Sequence, residues 1–361
     1  MSCVKAGLMI VVVLQAGCSS WWQKNDVVLV REPDQRSYGD PIGAPRFTKY
    51  AKEYWEYVAL AANSYHLKWP DYSRQLMSVN IKAVETPLDV RFHQACELNY
   101  SNQLIPTPDW YVWSNFPSKD LADLAEQAKL YFSVWEHRTG DNPTTVTEVA
   151  IVFRGTEADQ KQDWFSNARW FIPTRLRGED QYNVTKIQVA KAFEAELQTR
   201  IAQGKIPAKV NITAIGHSLG GGLAQQLAYA LPRSPGHPIR VTKVIAFNSS
   251  PVTGWFTTDN PPRDENTRGL EIDRIFEHGE ALAYIRLPIN FIAPPDHRDS
   301  AVRDLRFNLH EKPGGVANHA SHEFACRLAE VAGVYSQSTA PQRAVATRST
   351  QSMDRSPKEG N

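Results

Sequence analysis

Lys209-Val-Asn-Ile-Thr-Ala-Ile-Gly-His-Ser-Leu-Gly-Gly-Gly-Leu223 is the stretch from which the fold of this 361-residue chain is read. Its first part, Val210 to Ile215, is a β-rich run with no helix signal. A sharp turn follows at Gly216-His217-Ser218-Leu219-Gly220. Beyond it, Leu223, Leu227 and Leu231 recur at helical spacing, with the small Ala224 and Ala228 beside them. Strand, Gly-x-Ser-x-Gly and helix together predict a strained turn that lifts the Ser218 hydroxyl clear of a sheet as a nucleophile. Gly216 and Gly220 are needed because a Cβ at either place would collide across that turn. The helix beginning after Ser218 aims its N-terminal N–H groups and positive dipole end at developing negative charge. The plainer reading of the same residues is a Gly-rich β-to-α turn whose serine only caps the helix.

Working outward, the sequence alternates strand and helix. Val189, Phe193, Leu197 and Ile201 form an amphipathic helix, ended by Gly204 and Pro207, that leads into the central strand. Earlier, Tyr131 to Glu136 and Val149-Ala-Ile-Val-Phe153 read as strands separated by a turn at Thr139-Gly-Asp-Asn-Pro143. After the central helix come a strand over Val241–Phe247, a turn at Asn248-Ser-Ser-Pro251, a polar loop from Thr257 to Arg268, and a strand-like run from Leu270 to Phe276. A helix from about His319 to Tyr335 closes the domain, with Phe324, Leu328, Val331 and Tyr335 on one face. This alternation predicts an α/β fold: a mostly parallel sheet with helices on both faces. Two further helices are expected, one carrying Tyr50, Tyr54, Tyr57, Val58 and Ala61, the other Leu121, Leu124, Ala125 and Ala128. Residues 65–118 do not declare themselves.

Balanced charge (+1) and 42% hydrophobic residues describe an ordinary globular chain, with no basic excess to suggest nucleic acid. Ten tryptophans serve mainly packing, with some available to meet lipid. Lys5, the apolar run Leu8 to Leu14 and Ala16-Gly17-Cys18 predict a leader over 1–17, too short to span a bilayer as a mature helix. Leu14-Gln-Ala-Gly-Cys18 resembles a bacterial lipobox, although Gln15 stands where leucine is usual. The resemblance implies a lipid on Cys18, and Ser19 after it implies an outer-membrane lipoprotein of a bacterial cell envelope. An ordinary cleaved signal peptide is the alternative. Residues 18–46, with Pro33, Pro41 and Pro45, read as a linker, 47–335 as the folded domain and 336–361 as a disordered tail. Cys96 and Cys326 then remain as either a disulfide or two separate buried thiols.

A serine hydroxyl needs a histidine base, and the base needs a carboxylate to fix its tautomer. Phe153-Arg-Gly-Thr156 lies at the end of an apolar strand upstream of the elbow, where a second oxyanion donor belongs; Leu219 supplies the first through its N–H. Asp163-Trp164 through Asn167, then Trp170-Phe-Ile-Pro173, is either a mobile cover over the site or an irregular packed loop. Phe153-Arg-Gly-Thr156, Asp163-Trp164 with Asn167, and Gly216-His-Ser-Leu-Gly-Gly221 together resemble the class 3 lipases, the α/β-hydrolases that include the fungal triacylglycerol lipases, and their bacterial lipoprotein relatives. The resemblance runs over roughly residues 120–335. It implies Ser218 as nucleophile and Thr156 with Leu219 as the oxyanion pair.

Arg274-Ile-Phe-Glu-His-Gly-Glu-Ala-Leu282 is similar to the family's acid-bearing phrase and implies Glu280, where aspartate is usual. Asp273, Glu277, Asp296 and Asp299 stay open as alternatives. His319-Ala-Ser-His-Glu-Phe324 is similar to the phrase carrying the family's histidine and implies His319, with His322 and His310 as alternatives. No third ligand at a recognisable spacing accompanies His319 and His322, so neither metal nor cofactor is expected. The activity implied is serine ester hydrolysis of lipid or phospholipid acyl esters at a membrane reached through Cys18. An acyltransferase with the same triad, or a non-catalytic envelope lipoprotein that keeps the fold, are the other two readings.

Overall fold

The computed structural model describes residues 27–31, 38–41, 45–66, 87–96, 104–140, 145–155, 180–232, 239–282, 300–309 and 317–336. Among these, nine strands make one sheet: β1 (Val27–Arg31), β2 (Tyr38–Pro41), β3 (Trp110–Val112), β4 (Phe132–Thr139), β5 (Thr145–Phe153), β6 (Asn211–His217), β7 (Lys243–Phe247), β8 (Leu270–Glu277) and β9 (Ser300–Phe307). Their order is β2-β1-β9-β8-β7-β6-β5-β4-β3. Strands β5 to β9 run parallel, with Ile151 opposite Ala214 and Ile215 opposite Ile245. Antiparallel pairs flank this core, β4 and β3 at one side and β1 and β2 at the other.

Parallel strands buried on both faces need apolar side chains at every position, which is how Val149–Phe153 reads. Their alternation divides the core. Ala150, Val152, Ile215, Ile245 and Phe247 face helices α1 (Pro45–Asn63), α2 (Leu88–Cys96) and the last helix. Val149, Ile151, Phe153, Ala214, Val244 and Ala246 face the opposite layer, with α3 (Lys119–Gln127) and, further along, α4 (Gln181–Val184) and α5 (Ala190–Ala202). Helix α3 starts where the Ser118 hydroxyl caps the Leu121 N–H, a contact worth about 1 kcal/mol. Between α4 and α5, Thr185–Val189 is a π-helical turn, so the expected amphipathic helix is one continuous coil with a bulge. The short α7 (Arg263–Thr267) interrupts the expected polar loop.

Helix α6 (Leu219–Ala230), entirely buried, sits over β6 and β7. It has no polar face because neighbours cover it all round, which explains the run of Leu, Ala and Gly in its sequence. The last helix, α8 (Ser321–Val331), packs along α1. It begins two residues after His319, which itself lies in a 3-10 turn, Ala317–His319.

The stretch read as a linker, 18–46, contains β1 and β2, which hydrogen-bond onto β9, and α1 already starts at Pro45. The run Val27-Val-Leu-Val30 supplies the β-branched residues that pairing favours. Residues 65–118 hold α2 and β3. Strand β9 was not anticipated either. Its Arg303 and Asp304 look solvated, yet each pairs with a charge on β8: Arg303 Nε with Asp273 at 2.9 Å, and Arg274 Nε with Asp304 at 2.6 Å. The leader with Cys18, Thr156, the 163–173 segment and the tail from 337 onward lie outside the described residues.

Candidate active site

Strand β6 ends at His217 and α6 begins at Leu219, so the reversal between them falls on Ser218 alone. Ser218 has φ 58° and ψ −125°, a left-handed conformation that costs a side-chain-bearing residue about 1–3 kcal/mol. The surroundings hold it there. Its N–H donates to the Phe247 carbonyl at 2.9 Å, and its own carbonyl accepts from the N–H groups of Ser250 (2.9 Å) and Gly221 (3.1 Å). A Cβ on Gly216 would lie 2.0 Å from the Gly220 carbonyl oxygen. One on Gly220 would lie 2.2 Å from the Phe153 carbonyl oxygen, so this second glycine is required by the end of β5 rather than by the turn itself.

His319 stands beside this turn. Its ring centroid is 4.8 Å from that of His217, the residue preceding Ser218. The His319 Nδ1–H donates to Glu280 Oε2 at 2.8 Å, and the Leu282 N–H donates to the same oxygen at 2.8 Å. Glu280 is fully buried (0% exposed), in the turn that follows β8 at Gly279, whose φ is 70°. A buried carboxylate is stable only where charge-assisted bonds replace water, and this one has them.

A buried brace fixes the histidine's turn to the sheet. Asn248, left-handed at φ 42° just past β7, accepts from the Glu277 N–H at 2.8 Å and donates its amide to the Asn318 carbonyl at 3.2 Å. The Asn318 amide in turn donates to the His278 carbonyl at 2.8 Å. Asparagine tolerates the left-handed region, which is the signal that marks Asn248 in the sequence.

The structure separates the acid candidates. Asp273 lies on β8 among cations: Lys243 Nζ is 3.0 Å away, Arg303 donates two bonds, and the Tyr54 hydroxyl donates at 2.7 Å. Burial alone would raise its carboxyl, but the Arg303 bonds and the Lys243 charge outweigh that and hold it below the ordinary carboxylate range. Glu277 accepts from the Leu309 N–H at 2.8 Å. His322 points its Nε2 to the Ala95 carbonyl at 2.9 Å. Asp296, Asp299 and His310 lie outside the described residues.

Two side chains escaped the sequence reading. Tyr65, just past α1, places its hydroxyl 2.8 Å from His217 Nδ1 and accepts from the Gly155 N–H at 3.1 Å. His217 Nε2 lies 2.7 Å from the His319 carbonyl. Burial, with the neighbouring His319 ring second, pushes the His217 pKa down to about 3. Gly155 packs so closely that a Cβ there would lie 2.8 Å from the Ser218 Cβ, which brings the strand end before Thr156 directly against the serine. Leu219 opens α6, where an N–H has no acceptor within its own helix. Behind the site, Cys96 on α2 is disulfide-bonded to Cys326 on α8.

Residues 150–258, from the end of β5 through the elbow and β7, match the family model Lipase (class 3). Over this segment, 109 of the 361 residues, the chain is similar to the class 3 lipases. No curated protein matches the chain. Among solved structures it is similar to a Rhizomucor miehei lipase–propeptide complex, at 12% identity and TM-score 0.37, over 82% of this chain and 77% of that one. It is also similar to the extracellular lipase LipA from Serratia marcescens, at 14% identity and TM-score 0.34, over 70% of this chain and 44% of that one.

Proposed function

We propose that the protein is a serine carboxylester hydrolase acting on acyl esters of lipids, with Ser218, His319 and Glu280 as its triad. The observation that carries this reading is the His319–Glu280 bond of 2.8 Å, buried beside a serine held at φ 58°. Because Glu280 can only accept, Nδ1 of His319 carries the proton and Nε2 presents its lone pair. Nε2 takes the Ser218 proton as Oγ attacks the ester carbonyl. The imidazolium so formed is stabilised by the Glu280 carboxylate. The N–H of Leu219 and the group at Thr156 receive the oxyanion. The tetrahedral carbon then expels the alcohol, protonated by His319, and leaves an acyl-Ser218 ester. Water, deprotonated by His319, releases the fatty acid by the same steps in reverse order.

The membrane assignment rests on the sequence alone. A lipid on Cys18 would hold the enzyme within reach of phospholipid, the abundant ester of a bacterial envelope, which favours a phospholipase-type substrate over storage fat. Ser218→Ala tests the chemistry: short p-nitrophenyl esters should be cleaved by the parent protein and not by the variant, and a fluorophosphonate probe should label Ser218. An alanine variant of equal activity would end the proposal. Cys18→Ser should move the protein from the membrane pellet to the soluble fraction while cleavage of dispersed esters persists. Fatty acid release from phospholipid vesicles tests the substrate, and its absence beside good activity on soluble esters would leave a general esterase.

A further inference from the structure

We infer that Tyr65 and His217 are positioning residues that lock the main chain of His319 against the elbow through one fixed arrangement of protons. The inference rests on the reading of His319 as the base. Its ground is a chain of three hydrogen bonds that can be filled in only one direction. The His319 carbonyl can only accept, so the 2.7 Å contact requires a proton on His217 Nε2. His217 is buried at 3% exposure, and its neutral ring then has a bare lone pair on Nδ1. That lone pair needs a donor, and the Tyr65 hydroxyl 2.8 Å away supplies it. Having donated its proton, the Tyr65 oxygen accepts the Gly155 N–H at 3.1 Å. With the ring neutral, every donor in the chain meets one acceptor, and reversing the Tyr65–His217 link would leave Nε2 with a lone pair facing those of the His319 carbonyl.

The chain joins the two halves of the site. One end is the main chain beside Thr156, where an oxyanion donor is expected; the other is the main chain of the base. His217 precedes the nucleophile and lies between them. Its neutrality also matters, because its ring is 4.8 Å from His319, which gains a positive charge when it takes the serine proton. A second imidazolium there would oppose the first, and burial of His217 keeps it uncharged. Asn318 and Asn248 brace the same turn from its other side, so His319 is held at consecutive carbonyls from two directions.

Two measurements test this. In the intact protein labelled with ¹⁵N-histidine, the His217 ring should show a protonated Nε2 and a bare Nδ1 across neutral pH. A proton on Nδ1 overturns the inference whether or not any variant folds. In kinetics on a soluble p-nitrophenyl ester, Tyr65→Phe and His217→Leu should each lower kcat by about tenfold to a hundredfold with KM little changed. His217→Gln, which keeps an N–H near the position of Nε2, should recover most of kcat. A space-filling role predicts instead that the leucine and glutamine variants behave alike, and that result would overturn the inference. Activity lost in Ser218→Ala but intact in Tyr65→Phe and His217→Leu removes the inference alone. Activity that survives Ser218→Ala removes the reading of the triad, and the inference with it.

Discussion

Glu280→Gln is the substitution that discriminates most sharply among the acid candidates. The carboxylate is fully buried, and Oε2 accepts from both His319 Nδ1 and the Leu282 N–H. An amide of the same shape can fill the space in two ways. If its oxygen stays at the Oε2 position, both bonds survive but the charge facing the imidazolium is gone. Loss of a charged partner in a buried bond is worth about 1.5–3 kcal/mol, or roughly ten- to a hundredfold in kcat. If its NH2 turns toward His319, Nδ1 must become the acceptor, Nε2 then carries the proton, and the base is in the wrong tautomer. That outcome costs on the order of 10⁴-fold where the same inversion occurs in a serine protease triad. The expected loss in kcat therefore lies between about 10- and 10⁴-fold, with urea unfolding little changed. The assay is initial-rate hydrolysis of p-nitrophenyl butyrate, normalised to sites labelled by a fluorophosphonate. A folded Glu280→Gln protein that keeps kcat within a few-fold of the parent would refute the assignment. The refutation would be complete if Asp273→Asn were the inactive variant instead.

Asp273→Ala should do the opposite, leaving turnover per folded molecule unchanged while removing about 1.5–3 kcal/mol of stability, because Lys243 and Arg303 lose their buried partner and keep only Glu53 as a shared counter-charge; a urea midpoint equal to the parent's would contradict this. Replacing Cys96 and Cys326 by serine opens a link across 230 residues and should cost about 2–5 kcal/mol, seen as a lower urea midpoint that reductant no longer shifts. His217 makes stability depend on pH. The unfolded chain takes up a proton below about pH 6.5 that the folded ring refuses until about pH 3, so this contribution is complete above 6.5 and is lost as pH falls toward 3. At pH 5 the loss amounts to about 2 kcal/mol. The fall in melting temperature between pH 7.5 and 5 should be smaller in His217→Gln, and equal slopes would count against a neutral buried imidazole.

The sequence by itself carried the elbow, because most of its requirements are local. Gly216 clears space for Gly220 four residues on, Ser218 lies between them, and the Leu/Ala spacing declares the helix; only the contact of Gly220 with Phe153 comes from elsewhere in the chain. The buried strands around Val149–Phe153 and Val241–Phe247 were legible for a similar reason: a strand covered on both faces must be apolar throughout. Strand β9 was not, since Arg303 and Asp304 can be buried only opposite Asp273 and Arg274, and that pairing exists only once β8 lies alongside. The hairpin β1–β2 was hidden in the same way, being too short to signal itself apart from the edge of β9.

The site divides along the same line. Ser218 follows from its neighbours in the chain. Glu280 and Asp273 are both carboxylates in or just after one strand, and their separate surroundings come from what packs against each: His319 and Leu282 around the first, Tyr54, Lys243 and Arg303 around the second. Tyr65 meets His217 across a separation of 152 residues, and Cys96 meets Cys326 across 230. Local backbone sterics write themselves into consecutive residues. Partnerships between buried polar groups depend on distances that only the folded sheet and its two helical layers bring down to hydrogen-bonding range.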